Sequence, residues 1–206
     1  MFYENLKKNI LLHFSLNTAI NNTKSCLGNY LQILDPPGPM TGLWSFPGSG
    51  NTWMRHLIQL STGYVTGSEY LENSMGGFPG EHITNGSAIV IKSHLLRENA
   101  NMYDRAILII RNPLDSFIAE SNRMLTGNPS LLSNAPIDKL IEFIDGKQKR
   151  LFSLWLEFHQ NLILDTFFKP IHMIRFEDLI SNPIGNLFSS LLHLVMFKYG
   201  YRFLRE

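Results

Sequence analysis

Three short stretches of this 206-residue chain carry residue types that could act on an anion. The first is Ser-Phe-Pro-Gly-Ser-Gly-Asn-Thr-Trp, residues 45 to 53. Gly48 and Gly50 allow tight turns and close approach of an oxyanion, and a helix opening near Thr52 would aim unpaired N–H groups at it. Ser49, Asn51 and Thr52 add side-chain donors. The loop lacks the Gly-Lys-Ser/Thr ending with which a nucleotide-hydrolysing P-loop holds the terminal phosphate and Mg²⁺. An ordinary glycine turn between a strand and a helix would use the same residues.

The second stretch is Ile-Lys-Ser-His, 91 to 94. A histidine at a strand end can serve as general base near neutral pH, and Lys92 can neutralise charge developing on a transferring group. Strand alternation puts positions 92 and 94 on one face. A hydrogen-bonded structural histidine and a solvated lysine would read identically. The third is Arg111, where a planar guanidinium follows the run Ala-Ile-Leu-Ile-Ile and offers a fork to a phosphate. An ion pair with Asp115 or Glu120 is the plainer alternative.

The elements that must position these groups are legible as an alternation. Strand-like runs occur at GLWSF (42–46), SAIVIKSH (87–94), RAILIIRNP (105–113) and IHMIRF (171–176). Helical spacing follows the first loop at 53–61, and Asn112 and Pro113 form an N-cap and N1 pair opening a helix over 114–125. Two further helical segments are expected around 137–144 and 147–164. A final amphipathic helix follows Glu177 and Asp178. Residues 63–87 read as a Gly-rich and polar separator. Strands alternating with helices argue for an α/β domain with a mainly parallel sheet, whose ligands gather at the carboxyl ends of the strands. All three stretches fall there.

Bulk properties narrow the function. A net charge of +1 gives no global signal for nucleic-acid binding. Cys26 is the sole cysteine, which excludes an internal disulfide framework and a zinc site of several thiolates. The seven histidines show no i, i+4 pair, so no metal ligand set is expected. No uninterrupted apolar run reaches the roughly 20 residues of a membrane-spanning helix. Asn21 and Asn85 lie in Asn-x-Ser/Thr sequons, relevant only in a secretory compartment. Residues 1–40, ending in Asp-Pro-Pro-Gly-Pro-Met, read as an N-terminal extension, and 41–206 as the main domain.

The order of the stretches resembles the sulfotransferase superfamily, which uses 3′-phosphoadenosine 5′-phosphosulfate (PAPS), and most nearly the sulfotransferase domain of the WSC-domain-containing branch. The matching segments are SFPGSGNTWMRHLIQLSTGYVTGSEY, IKSH, LIIRNPLDSFIAESNR and FEDL, within roughly residues 42–195. The resemblance implies a P-loop-like three-layer fold, C-terminally short, and sulfonate transfer from PAPS, without a metal, to a hydroxyl, expected to belong to a glycan such as one bearing sialic acid. Gly48, Ser49, Gly50, Asn51 and Thr52 would bind the 5′-phosphate, Trp53 would lie against adenine and Arg111 would take the 3′-phosphate. His94 would be general base, Lys92 would stabilise the sulfonate in flight, and Phe176 stands where many relatives place an aromatic. Golgi residence and membrane association are expected by family analogy alone.

Many relatives place a lysine at position 48 and a 3′-phosphate-binding serine at position 119, which here is Ala119. Lys92 is expected to replace the former, and Ser116 or Ser121 the latter. Relatives also continue into a basic, Gly-containing segment that closes over the donor, whereas this sequence ends in YGYRFLRE; a fragment or a PAPS-binding pseudoenzyme is therefore the alternative expectation. A P-loop phosphotransferase is a further one, opposed by the missing Gly-Lys-Ser/Thr and by Arg111 in place of a metal-binding Asp.

Overall fold

The computed structural model describes residues 31–70, 78–94, 100–127, 135–165 and 169–200. Asn21, Cys26 and the chain end from Tyr201 lie outside them.

Five strands, β1 (Thr41–Ser45), β2 (Gly67–Ser68), β3 (Ile91–Ser93), β4 (Arg105–Ile110) and β5 (Ile171–Arg175), form one sheet in the order β2-β3-β1-β4-β5, with every pairing parallel. Helices α1 (Asn51–Thr62), α2 (Pro113–Thr126), α3 (Ile137–Asp165), α4 (Phe176–Ser181) and α5 (Pro183–Gly200) connect and cover them. β4 is apolar at every position after Arg105 because both of its faces are covered. Ile107 and Ile109 join Leu43, Met54, Ile58, Leu179, Leu187 and Leu191 on the face covered by α1, α4 and α5. Ala106 and Leu108 join Trp44, Phe117, Phe158 and Leu162 on the face covered by α2 and α3. Adjacent residues thus feed opposite cores, which is the expected three-layer α/β architecture.

Local details differ from the sequence expectation. The two helical segments at 137–144 and 147–164 are one 29-residue helix, α3. Gly146 does not break it, since an interior glycine costs only about 1 kcal/mol and α3 has an apolar stripe, Trp155, Phe158 and Leu162, to bury. The 63–87 separator contributes β2, too short for any periodicity to reveal. The run SAIVIKSH is strand only at Ile91–Ser93, and α4 intervenes before the final helix. Between α4 and α5 the Asn182 side chain accepts from Gly185 N–H (3.0 Å), with Pro183 opening the new helix. Residues 32–38 are tied to the domain by backbone bonds from Gln32 to Gly63, Leu34 to Ser87 and Gly38 to Gly86.

With β1 between β3 and β4, consecutive connections leave it in opposite directions. This is the switch point at which doubly wound sheets open a crevice beyond the strand ends. The loop after β1 lies there.

Candidate functional site

The loop after β1 is shaped by two glycines that tolerate no side chain. Gly48 has φ +77°, and a Cβ on it would stand 2.3 Å from the Ser116 carbonyl of α2. Gly50 has φ +91°, and a Cβ there would enter the Phe176 ring at 2.2 Å. This explains why no lysine occupies position 48: the left-handed backbone and the α2 carbonyl together exclude it.

Gly50 is also the N-cap of α1, and no side chain caps that helix. The first helical bond runs from Met54 N–H to the Gly50 carbonyl (3.1 Å). The N–H groups of Gly50, Asn51, Thr52 and Trp53 therefore have no partner among the described residues, and they carry the positive end of the helix dipole. The side chains behave differently from the sequence expectation. Asn51 gives its amide hydrogens to the Leu43 carbonyl (2.8 Å) and to Ser45 Oγ (3.2 Å), and Ser49 Oγ meets Ser116 Oγ at 3.2 Å. Both are buried and pin the loop to β1 and α2, so these side chains are turned toward the protein. Thr52 is half-buried in the first turn.

Arg111 is brought to this loop. Its Nη1–H donates to the Gly48 carbonyl (2.8 Å), and its guanidinium lies 4.4 Å from the centre of the Phe176 ring. Phe176 meets Trp53 edge-on at 5.9 Å. Four residues distant in sequence thus form one cluster, Gly50, Trp53, Arg111 and Phe176. Arg111 takes neither Asp115 nor Glu120 as an ion-pair partner among the described residues; Glu120 pairs with Arg123 instead. Beyond β4 and β5 a cleft of about 320 Å³ opens, lined by Arg111, Asp115, Trp155, Arg175 and Glu177 among others. Partial burial works against ionisation of Glu177, yet the Asn112 N–H and the nearby Arg175 and Arg111 hold its carboxyl below the usual range.

His94 follows β3 and reaches across to the end of β1. Its Nδ1 lies 2.7 Å from the Ser45 carbonyl, an acceptor that fixes the proton on Nδ1 and leaves Nε2 with a lone pair. Burial, with Lys92 nearby, lowers its pKa to about 4, so the imidazole is neutral at pH 7. Lys92 is buried, against the alternative of a solvated surface lysine, and its ammonium stands 5.5 Å from the centre of the Tyr70 ring. Ser116 and Ser121 are both buried, so neither offers a surface hydroxyl in place of the family serine.

Sequence reasoning gave no role to Glu69 and Tyr70. Glu69 accepts from Ser93 Oγ (2.5 Å) and from the Tyr103 hydroxyl (2.7 Å), and Tyr70 contacts His94 directly. Arg55, also unassigned, is fully buried and bonds Thr66 and Glu81 while lying over Phe78 (3.9 Å), so it locks α1 to the segment leading into β2. Among the described residues no group of three or more His, Cys, Asp or Glu could hold a metal ion, and no helix is long and apolar enough to cross a membrane.

No family model matches the chain. It is 35% identical over 164 residues to a WSCD family member of Aedes aegypti, covering 75% of this chain and 50% of that protein. It is 32% identical over 174 residues to a WSCD family member of Drosophila melanogaster, covering 81% and 53% respectively. The chain therefore spans about half the length of the curated relatives it matches. Its fold is similar to that of mouse sulfotransferase SULT7A1, solved in complex with PAP, with a TM-score of 0.51 and 18% identity over 82% of this chain and 62% of that one. Over the stretch it shares with them, the chain is homologous to WSCD family members, and its fold is sulfotransferase-like.

Proposed function

We propose that the chain transfers a sulfonate from PAPS to a hydroxyl, with His94 as general base. The observation that carries this reading is the uncapped fan of N–H groups at Gly50–Trp53, set beside Arg111 and joined through β1 to a neutral histidine. The cradle fits a phosphate group: two glycines at positive φ let the loop pack tightly against α2 and Phe176, and its N–H donors are satisfied by nothing else among the described residues. PAPS supplies an activated sulfonate on a phosphate leaving group.

In this reading the N–H fan holds the 5′-phosphate, Trp53 and Phe176 offer aromatic surface to adenine, and Arg111 meets the 3′-phosphate. An acceptor oxygen takes the sulfonate while its proton passes to His94 Nε2. The buried Lys92 supplies positive charge near the base, in the role that a loop lysine cannot fill at Gly48. Such catalysis rests on positioning and oriented dipoles rather than on a covalent nucleophile. A glycan hydroxyl, with sialic acid as one candidate bearer, and a secretory-pathway setting such as the Golgi are part of the proposal, taken by analogy with the WSC-domain-containing branch.

The test is the thermal midpoint of the chain with 3′,5′-bisphosphoadenosine, against ADP plus Mg²⁺. At a hundredfold excess over Kd the former should add about 2.7 kcal/mol, or roughly 5–10 °C. Arg111→Ala should abolish that rise. A rise with ADP and Mg²⁺ alone would instead point to phosphoryl chemistry. Given an active acceptor, His94→Ala should cut turnover by roughly 10²- to 10⁴-fold; unchanged turnover would remove His94 from the role. Binding of the bisphosphate with no turnover on any hydroxyl acceptor would mark a donor-binding protein without catalysis.

A further inference from the structure

The two residues proposed for catalysis, His94 and Lys92, share a neighbour to which the sequence motifs gave no role. β2 is only two residues long, yet the segment containing it is zipped to β3 over a greater length. Gly67 N–H donates to the Val90 carbonyl (2.8 Å) and Glu69 N–H to the Lys92 carbonyl (3.0 Å). A parallel ladder would next take His94 N–H to the Glu69 carbonyl. Instead His94 N–H donates to the phenolic oxygen of Tyr70 (2.9 Å). The chain at Tyr70 is itself held by a bond from its N–H to Ser68 Oγ (3.0 Å).

The Tyr70 ring then serves two further contacts. It faces the imidazole of His94 with centroids 5.5 Å apart and planes 32° apart. The Lys92 ammonium lies 5.5 Å from the same ring centre. One half-buried side chain thus fixes the backbone of the histidine, covers its ring and borders the lysine.

We propose that Tyr70 is the positioning residue of this site, holding His94 and Lys92 in their working arrangement; the inference rests on the sulfotransferase reading above. Its hydroxyl stops the peptide at His94 from turning, which keeps Nδ1 on the Ser45 carbonyl and Nε2 free to take a proton. Its ring shields the imidazole from water, which keeps the neutral form favoured until the acceptor proton arrives. The other charged groups that bear on His94 are Lys92, Arg55 and Arg123, all cationic, so they act with burial to oppose its protonation.

The experiment is NMR of the full chain, reading the titration and tautomer of the His94 ring and the hydrogen exchange of its amide, in Tyr70→Phe and Tyr70→Leu. The phenylalanine variant keeps the ring and removes the acceptor, so His94 amide exchange should speed up roughly tenfold while the ring titration stays in place. The leucine variant removes the ring as well, and the His94 midpoint should rise from about 4 by about one unit as water reaches the imidazole. Exchange and titration unchanged in both variants would overturn the proposal. The bisphosphate-induced midpoint separates the two readings: a rise equal in wild type and both variants leaves the donor cradle intact and isolates the effect at His94. A donor response lost in both variants would show a general structural role and overturn the assignment. No rise in wild type would sink the sulfotransferase reading, while the NMR readouts would still decide whether Tyr70 orders His94. With an acceptor in hand, Tyr70→Leu should lower kcat with donor KM unchanged, and Tyr70→Phe should recover part of the loss.

Discussion

Two helices begin at the carboxyl edge of the same sheet, one from each side of the crevice, and their N-termini are finished in opposite ways. α2 is closed by its own residues: the Asn112 side chain accepts from Leu114 N–H (2.9 Å), Pro113 removes one donor altogether, and Asp115 sits in the first turn. α1 is left open by Gly50, which has no side chain to cap with, and its first turn holds no acidic residue. A glycine at the N-cap in place of a capping side chain forgoes only about a few tenths of a kcal/mol, and a protein can carry that where a ligand supplies the missing acceptor. The difference teaches that the terminus the chain leaves uncapped is the one to which the proposed function gives an anion. Arg111 stands between the two, one residue before the closed cap and bonded to the loop of the open one.

Breaking the open terminus should have the largest effect. Gly48→Ala would put a Cβ against a backbone carbonyl that cannot swing aside, at a positive φ. A loss of about 3 kcal/mol or more in denaturant unfolding is expected, with the bisphosphate response gone. An alanine that folds and binds normally would show that the loop is not shaped as described. Breaking the closed terminus should do less and should leave the ligand alone: Asn112→Ala is expected to cost about 1 kcal/mol in urea unfolding, with the bisphosphate-induced shift retained. A shift that vanished with Asn112 would mean that the two termini serve one ligand.

The remaining effect is one of pH. Burial lowers the pKa of both His94 and His193 to about 4, with Lys92 adding to the first and His172 and Arg105 to the second. Both are therefore neutral in the folded chain where the unfolded chain, near 6.5, has begun to bind protons. Stability from these groups is complete above pH 6.5 and is lost progressively as the pH falls towards 4. The thermal midpoint should fall over that window, and His193→Gln should reduce its steepness. A midpoint flat from pH 7 to 5 would contradict the burial of these rings.

The open terminus was visible in the sequence because glycines and small polar residues cluster where a strand gives way to a helix. The closed one was equally visible in Asn112 and Pro113. The joining of α3 through Gly146 was not, since a local signal for a break is weak beside an apolar stripe that needs burial against the sheet. β2 was missed because two residues cannot show a period. Asn51 and Ser49 looked like ligand donors from their types alone, and only the fold reveals that the Asn51 amide hydrogens go to β1 and that the Ser49 hydroxyl meets Ser116 of α2.

The sequence by itself determined the layered α/β architecture, through apolar runs whose alternate residues enter opposite cores, and it placed the loop, His94 and Arg111 at strand ends. Tertiary structure alone decided which of these meet. Parallel pairing sets β3 and β4 on either side of β1, which carries His94 to the Ser45 carbonyl and Arg111 to the Gly48 carbonyl. It also placed Tyr70 on His94 and Phe176 on Gly50, contacts between residues 24 and 126 positions apart. Such contacts leave no periodic trace in a chain, because they depend on strand order and on how each strand ends rather than on local spacing.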